Sequence, residues 1–268
     1  MQVCRANATQ GSLHYERQGQ GEPLVLLHGI GGELCVWEPV LEPLARHRDV
    51  IAVDLPGFGN SPALAPDVVP SPAALAAAVS GLLAELGIDR AHVAGNSLGG
   101  WVALEMARRG NARSVVGLCP AGLWGAPLQG ASGATRGRAH RVVRWLRPLL
   151  WLLLRSRRAR RVALRPFVAD PDKVPYQAAW RMVRSYGRAA AYDATSTAMR
   201  QSYFHDPDQI QVPVLLAFGE QDRLIRPVRV SAPSFRSVAL PGCGHIPMWD
   251  DTALVSEVIL QGRPSPAL

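Results

Sequence analysis

The chain has 268 residues, of which 48% are hydrophobic and 19% charged, and it carries a formal net charge of +8. This composition is typical of a folded globular protein and excludes an intrinsically disordered chain. No apolar run reaches the ~18 residues that a membrane-spanning helix needs, and the N-terminus lacks the charged and apolar parts of a secretory signal. We therefore expect a cytoplasmic protein with one large domain, or a domain with an insertion.

The chain begins with alternating strand-like and helix-like segments. Residues 11–18 alternate in character and suit an edge strand, whereas Pro23–Leu27 and residues 50–53 are continuous apolar runs. Continuous runs of this length are typical of strands buried on both faces of a parallel sheet. Between them, residues 36–46 have the spacing of an amphipathic helix.

The same alternation continues to the end of the chain. Ser71 and Pro72 form a helix start, with the serine as N-cap and the proline in the first turn, and the helix should run to Leu86 and end at Gly87. Further strands are predicted at 91–94, 114–119, 212–218 and 236–240, and a closing helix at 252–260. Alternating strands and helices predict a parallel, doubly wound α/β sheet.

A glycine-serine turn, Gly95-Asn96-Ser97-Leu98-Gly99, joins the strand at 91–94 to an apolar helical segment. In the pattern G-x-S-x-G the glycines flank the serine because larger side chains would collide in so tight a turn. The turn should lift the serine hydroxyl into the open, at a helix N-terminus whose backbone N–H groups can stabilise an anion. The motif alone is only moderately specific, since such turns are common.

Three polar residues follow predicted strands at the end of the sheet where α/β proteins bind ligands: Ser97, Asp222 and His245. Three features resemble the α/β-hydrolase fold superfamily: the order of these residues along the chain, the glycine-serine turn at 95–99, which we call the elbow, and a glycine-rich loop at residues 28–32 (HGIGG). Residues 54–61 (DLPGFGNS) are similar to the D-x-x-G-x-G-x-S turn of that family, and residues 219–222 (GEQD) add a fourth match. The loop at 28–32 lacks G-x-G-x-x-G and the Gly-Lys-Ser/Thr of a phosphate loop, which argues against a nucleotide site.

The resemblance covers nearly the whole chain outside its middle segment. It implies a mostly parallel eight-stranded sheet with helices on both faces and a helical cap inserted after strand 6. The core would comprise residues 1–121 and 207–268, and the cap residues 122–206. Caps of this family cover the active site and select the substrate.

The catalytic roles follow from chemical need. A serine hydroxyl is a weak nucleophile, so His245 would accept the proton of Ser97 and later protonate the leaving group. The imidazole needs a carboxylate at its other nitrogen, and Asp222 is the acid correctly placed at a late strand end. Asp250 and Asp251 begin the last helix, and we interpret them as N-terminal helix charges.

The oxyanion of the tetrahedral intermediate needs two N–H donors already in place. One should be the backbone N–H of Leu98, and by resemblance the other is that of Ile30, with Gly31 as the fallback. His28 is interpreted as a buried structural residue. The predicted substrate-binding residues are Gly29, Gly31, Trp124 and Trp151.

No metal or cofactor is expected. The four cysteines have no Cys-x-x-Cys or Cys/His ligand spacing, and we interpret them as reduced, mostly buried thiols: Cys4, Cys35, Cys119 and Cys243. His140 and His205 lie in the middle segment and have no partner that the sequence identifies.

The positive charge is concentrated in the middle of the chain. From Trp124 to Asp206 there are sixteen basic and four acidic residues, a balance of +12, and the rest of the chain has a balance of −4. Residues 138–161 combine arginines with leucine-rich runs, and Pro148 should kink this helix or start a new one.

Two interpretations of this segment remain open. In the first, a cap helix turns its leucines towards an acyl pocket and the body while its arginines face water. In the second, a basic amphipathic surface rests on anionic lipid or admits a long-chain substrate. Acidic substrates would also suit the arginines, and the apolar helices could form a homodimer surface. Nucleic-acid binding is not expected, since no aromatic platform accompanies the charge.

The sequence therefore predicts a serine hydrolase that cleaves an ester with an apolar acyl or alicyclic group. Hydrolysis of a carbon–carbon bond in a vinylogous diketone, of a thioester or of a lactone uses the same triad and stays open. Relatives that open epoxides or displace halide use an aspartate at the elbow, which disfavours those reactions here. A non-catalytic binding protein is the alternative from another class, although it would not need a base and its orienting acid.

Overall fold

An eight-stranded sheet lies at the centre of the computed structural model, which describes residues 4–5, 12–128 and 132–261. In chain order the strands are β1 (Cys4–Arg5), β2 (Tyr15–Gln18), β3 (Pro23–Leu27), β4 (Asp49–Val53), β5 (Ala91–Asn96), β6 (Ala112–Leu118), β7 (Val214–Gly219) and β8 (Phe235–Leu240). Their order across the sheet is β1-β2-β4-β3-β5-β6-β7-β8. Strand β2 is antiparallel to both its neighbours and the other pairs are parallel. The predicted, mostly parallel α/β sheet is confirmed.

Strand β2 is not the edge strand that residues 11–18 were expected to form. Its outer side pairs with β1, where Cys4 lies opposite Arg17 and Arg5 opposite Glu16. Its inner side pairs with β4. The expectation was wrong because the two-residue strand β1 is too short to give a pattern of its own in the sequence.

Helices cover both faces of the sheet. In chain order the α-helices of the described residues are α1 (Glu38–Ala45), α2 (Pro72–Glu85), α3 (Leu98–Arg108), α4 (Ser132–Leu153), α5 (Arg157–Leu164), α6 (Tyr176–Arg188), α7 (Tyr192–Arg200) and α8 (Thr252–Gln261). One core lies under α2 and α3, and the other lies under α1 and α8. Successive residues of β3 alternate between these cores, Val25 and Leu27 in the first, Leu24 and Leu26 in the second, as the two-residue period of a strand requires.

Local signals set the bounds of α2 as the sequence predicts. The Oγ atom of Ser71 accepts a hydrogen bond from the backbone N–H of Ala74 at 3.2 Å, which satisfies one of the free donors of the first turn. At the other end Leu86 is the C-cap residue, and Gly87 has φ +71°, a left-handed conformation that glycine adopts without strain.

The segment between β6 and β7 contains the helices α4 to α7, and in its described part it has no strand, as predicted. We call residues 122–206 of this segment the helical insertion. Helix α4 runs through Pro148 to Leu153, so the proline does not begin a new helix; the break falls later, before α5. Among the described residues, no helix combines the length and apolar character needed to cross a membrane.

The leucines of α4 do not face the body as the first interpretation of this segment requires. Four of them are 44–54% exposed: Leu146, Leu149, Leu152 and Leu153. Their helical spacing puts them on the side of α4 opposite the buried Leu154. That interpretation is therefore wrong for these residues.

Candidate active site

Ser97 lies at the turn between β5 and α3, with φ +54° and ψ −114°. Its backbone N–H donates to the carbonyl of Leu118 at 3.0 Å, and its own carbonyl accepts from Ala121 at 2.9 Å, so the neighbouring strand holds the turn in this conformation. A side chain at Gly95 would collide with the carbonyl of Gly99, which explains the glycine at that position. A non-glycine residue at positive φ stores backbone strain, which functional sites commonly retain.

The side chain of Ser97 is more enclosed than the sequence predicts. The residue is only 7% exposed. A Cβ atom on Gly29 would lie 3.2 Å from the Cβ of Ser97, so the loop after β3 packs directly against the serine. The expectation of an open hydroxyl was wrong because it considered only the turn and not this loop.

His245 and Asp222 form a hydrogen-bonded pair. The Nδ1 atom of His245 lies 2.8 Å from Oδ2 of Asp222, and both side chains are almost inaccessible to solvent. The other carboxylate oxygen accepts from the backbone N–H groups of Leu224 and Ile225 at 2.7 and 3.0 Å. Burial acts to raise the pKa of Asp222, but the hydrogen bond and charge of His245 and these N–H donors together lower it, which keeps the carboxylate ionised at neutral pH.

Asn96 connects the serine turn to the loop after β8 that carries His245 (residues 241–246), which we call the histidine loop. Its Nδ2 atom donates to the carbonyl of His245 at 2.8 Å and to that of Leu118 at 3.0 Å, and the side chain is buried. Because Asn96 directly precedes Ser97, its amide holds the backbone of His245 next to the serine turn. Sequence reasoning missed Asn96, although its place inside the G-x-S-x-G pattern could have indicated it.

The loop after β3 is shaped by His28. The buried ring accepts a hydrogen bond at Nε2 from the backbone N–H of Leu55 at 2.9 Å, so its Nδ1 atom carries the proton and donates to the carbonyl of Gly29 at 2.8 Å. Burial lowers the pKa of His28, and the ring is neutral at pH 7. The interpretation of His28 as a structural residue is confirmed.

The two predicted oxyanion donors belong to the two segments that meet at Ser97, the start of α3 and the loop after β3. Leu98 is the first residue of α3, where a backbone N–H has no carbonyl one turn earlier to bond to. Ile30 is half-buried in the loop next to Gly29. Gly31 has φ +76°, and a Cβ there would lie 2.6 Å from the ring of Tyr186 in α6. The helical insertion therefore packs against the loop that carries Ile30.

A cluster of three aromatic rings lies over this loop. His140 of α4 stacks on Tyr192 of α7 with ring centroids 4.7 Å apart, and the edge-on ring of Tyr186 is 5.3 Å away. Both ring nitrogens of His140 are buried, and within the described part of the chain neither has a partner at good hydrogen-bond geometry. Desolvation lowers the pKa of His140, which favours the neutral ring. A neutral imidazole in this position can donate or accept a hydrogen bond, and sequence reasoning found no role for it.

The two tryptophans expected to bind substrate both lie in the helical insertion. Trp124 packs edge-on against Trp101 at 5.4 Å, and its Nε1 atom donates to the carbonyl of Ser202 at 2.9 Å, which ties the start of the helical insertion to its end. Trp151 is 40% exposed, and the guanidinium of Arg155 covers its ring at 4.1 Å. The role of both residues in substrate binding stays a prediction.

Asp250 joins the helical insertion to the histidine loop. Its carboxylate accepts from the backbone N–H groups of Ala169 at 2.9 Å, Asp170 at 3.0 Å and Gly244 at 2.8 Å. The interpretation of Asp250 as a helix charge was wrong, because its partners lie about eighty residues earlier and beside His245. Asp251 does act at the start of α8, where its Oδ1 atom accepts from the N–H of Leu254 at 2.9 Å.

Cys119 lies behind the histidine–aspartate pair. Its Sγ atom accepts from the N–H of Gly219 at 3.4 Å, and ligand atoms of Cys119, Asp222 and His245 all lie within 4.8 Å of one another. Burial and the charge of Asp222 hold the pKa of this thiol well above its usual range. The carboxylate and imidazole are already bonded to each other and the thiol stays protonated, so this group does not fit a metal site.

Comparisons with known proteins identify the family of the chain. Residues 24–258 match the model of the alpha/beta hydrolase family. The chain is 32% identical over 213 residues to epoxide hydrolase EphH of Mycobacterium tuberculosis, which covers 70% of this chain and 93% of that one. It is 30% identical over 258 residues to a pimeloyl-acyl-carrier-protein methyl ester esterase of Aeromonas hydrophila, over 92% of this chain and 98% of that one.

Solved structures show the same fold. An enol-lactonase from Burkholderia xenovorans LB400 superimposes with a TM-score of 0.73 and 22% identity, over 92% of this chain and 95% of that one. The matched residues include both parts of the core and the segment between them. The chain is a member of the alpha/beta hydrolase family.

Proposed function

We propose that this hydrolase cleaves carboxylic esters through an acyl-enzyme formed on Ser97. The observation that carries the proposal is the buried hydrogen bond between His245 and Asp222. Asn96 ties the loop of His245 to the serine turn. A carboxylate held at one imidazole nitrogen leaves the other nitrogen free to act as a base. A binding protein of this fold would have no need of that pair.

The reaction follows from these groups. Nε2 of His245 accepts the hydroxyl proton as Oγ of Ser97 attacks the ester carbonyl, and Asp222 stabilises the resulting imidazolium. The backbone N–H groups of Leu98 and Ile30 stabilise the oxyanion. Collapse of the intermediate expels the alcohol, which takes the proton from His245. A water molecule, deprotonated by the same nitrogen, then releases the acid and restores Ser97.

The helical insertion, residues 122–206, acts as a cap in this proposal. Its Tyr186 and Tyr192 pack on Gly31, and His140 lies against both rings. Aromatic side chains beside the loop that carries Ile30 suit an apolar acyl or alicyclic group of the substrate. Gly29, Gly31, Trp124 and Trp151 remain the proposed substrate-binding residues.

Other substrates of the same triad are thioesters, lactones and vinylogous diketones. Epoxide opening is the activity named for one relative, but the residue at the elbow here is a serine. Attack by the Ser97 hydroxyl on an epoxide carbon would form an alkyl ether, which has no acyl carbon for water to attack, so the free enzyme would not be restored.

The test is hydrolysis of a p-nitrophenyl ester series of increasing chain length by the wild type and Ser97→Ala. We expect kcat/KM to fall by at least about 10⁴-fold in the variant, because the nucleophile is lost. Ser80→Ala is the matched control: this serine lies on α2, where its hydroxyl bonds Asn111 at 3.1 Å, and its loss should leave turnover unchanged.

Turnover by Ser97→Ala at the wild-type level would contradict the mechanism. A folded wild type that cleaves no ester, but cleaves a vinylogous diketone in a Ser97-dependent reaction, would replace ester hydrolysis with carbon–carbon hydrolysis. Styrene oxide serves as the epoxide substrate in the same series, and turnover of it alone would overturn the proposal.

A further inference from the structure

Helix α4 exposes an apolar stripe to solvent in the part of the chain that the structure describes. Six exposed side chains recur at the spacing i, i+3, i+4, i+7, i+10 and i+11, which places them within about 120° of the helix circumference. They form what we call the outer stripe: Val142, Trp145, Leu146, Leu149, Leu152 and Leu153. Trp145 is 81% exposed. Contiguous apolar surface of this kind marks an interaction site in a folded protein.

On the opposite side of α4, His140 is buried against the body of the protein, and Leu154, just after the helix, is buried as well, whereas Trp151 on that side is 40% exposed. His140 stacks on Tyr192, which holds this part of the helix over the loop of Gly31. The packing of His140 therefore determines the orientation of α4, and the outer stripe is exposed to solvent on its other side.

The chain segment that carries the outer stripe and α5 has charged residues of one sign, and Asp172, which lies beyond that segment, pairs with Arg161 of α5. Nine arginines and no acidic residue lie between positions 141 and 165, and the sequence has no acidic residue at all between Glu105 and Asp170. Helix α5 follows α4 directly, and the consecutive residues Arg157 and Arg158 at its start are exposed. Arg155, between the two helices, is exposed as well.

We propose that the outer stripe, together with Arg155, Arg157 and Arg158, docks the protein on an anionic phospholipid surface. Apolar and tryptophan side chains enter the interfacial region of a bilayer, and guanidinium groups pair with lipid phosphates. A second copy of the chain is a poor occupant, because it would bring two surfaces of the same positive sign together. The docking requires no catalytic step, so it stands apart from the proposed ester hydrolysis.

The test is co-sedimentation of the full-length protein with vesicles. Phosphatidylcholine vesicles containing 30% phosphatidylglycerol should bind the wild type at low salt, and pure phosphatidylcholine vesicles should bind at least tenfold less. Raising the salt concentration should weaken binding, because it screens the arginines. Bound protein should show a blue shift of tryptophan emission that Trp145→Ala reduces.

Two pairs of variants assign the surface. Leu149→Glu and the double variant Arg157→Glu/Arg158→Glu should each reduce binding at least tenfold. Their matched controls are Val69→Glu, at an exposed apolar residue outside the helical insertion, and Arg46→Glu/Arg90→Glu, at exposed arginines of the core. The controls should bind like the wild type, and circular dichroism verifies that each variant is folded.

Three results would overturn the proposal. The first is equal sedimentation of the wild type with anionic and neutral vesicles. The second is equal binding by the surface variants and their controls. The third is a dimer in solution that Leu149→Glu dissociates, in a protein that no vesicle binds; that result would assign the outer stripe to a second copy.

Discussion

At the scale of single residues, the backbone of Ser97 is the feature most tightly coupled to the proposed chemistry. Its φ of +54° is a conformation in which a side chain is strained. The turn is retained because hydrogen bonds from β6 and the loop to Ala121 hold both of its peptide groups. The cost of the conformation is therefore separable from the function of the hydroxyl.

Two substitutions at this position should separate them. Ser97→Ala and Ser97→Gly both remove the nucleophile, but only the glycine relieves the strain. We expect Ser97→Gly to be the more stable of the two by about 1 kcal/mol in urea unfolding. Ser114, in strand β6, is the control position, where glycine should be less stable than alanine. Equal stability of the two Ser97 variants would show that the turn carries no strain.

At the scale of elements, Asp250 joins three segments with one side chain. Its carboxylate bonds Ala169 and Asp170 of the helical insertion and Gly244, next to His245. Lys173 further donates from Nζ to the carbonyl of Asp250 at 2.6 Å. The position of the histidine loop therefore depends on its contact with the helical insertion.

Removal of this carboxylate should affect both stability and turnover. In Asp250→Ala three backbone N–H groups lose their acceptor, and we expect a loss of about 3 kcal/mol in the free energy of unfolding. The ester kcat should also fall, since Gly244 no longer holds His245 in place. Urea unfolding and steady-state kinetics measure the two effects.

Asp251→Ala is the matched control for that change. This neighbouring residue caps α8, so its loss should cost about 1 kcal/mol and leave kcat unchanged. A stable Asp250→Ala with wild-type kcat would refute the connection between the helical insertion and the histidine loop.

At the scale of the whole molecule, buried titratable groups make stability depend on pH. Burial lowers the pKa of His28, so between this lowered value and the ordinary value of 6.5 the unfolded chain binds a proton that the folded chain does not. The stability associated with His28 is present above about pH 6.5 and is lost as the pH falls. His14 acts in the opposite direction, because its hydrogen bond to Asp54 raises its pKa, and its contribution is lost as the pH rises through that value.

His28→Asn should remove the first of these effects. The variant loses ring contacts and is less stable at every pH, but its deficit should shrink by up to about 1.4 kcal/mol for each pH unit below 6.5. Urea unfolding at pH 7.5, 6.5 and 5.5 measures this deficit. His47→Asn, at an exposed histidine after α1, is the control and should follow the wild type. Parallel pH curves for the wild type and His28→Asn would contradict the prediction.

Much of this molecule could be predicted because it depends on local geometry. The serine turn, with glycines at Gly95 and Gly99, and the capped helix that begins at Ser71 each require particular residue types at neighbouring positions. The buried strands have continuous apolar runs because both of their faces are covered. For these reasons the sequence alone determined the α/β class, the places of most strands and helices, and the three residues of the proposed triad.

The tertiary structure decided the features that depend on contacts between distant segments. Asn96 and Asp250 are ordinary polar residues in the sequence. The role of Asn96 arises only when the histidine loop meets the serine turn, and that of Asp250 only when the helical insertion meets the histidine loop. From the sequence alone, the leucines of α4 could face either the body of the protein or solvent. The packing of His140 on Tyr192 determines which side of the helix is covered. Helical spacing determines which side chains share a face, but only packing determines which face is buried.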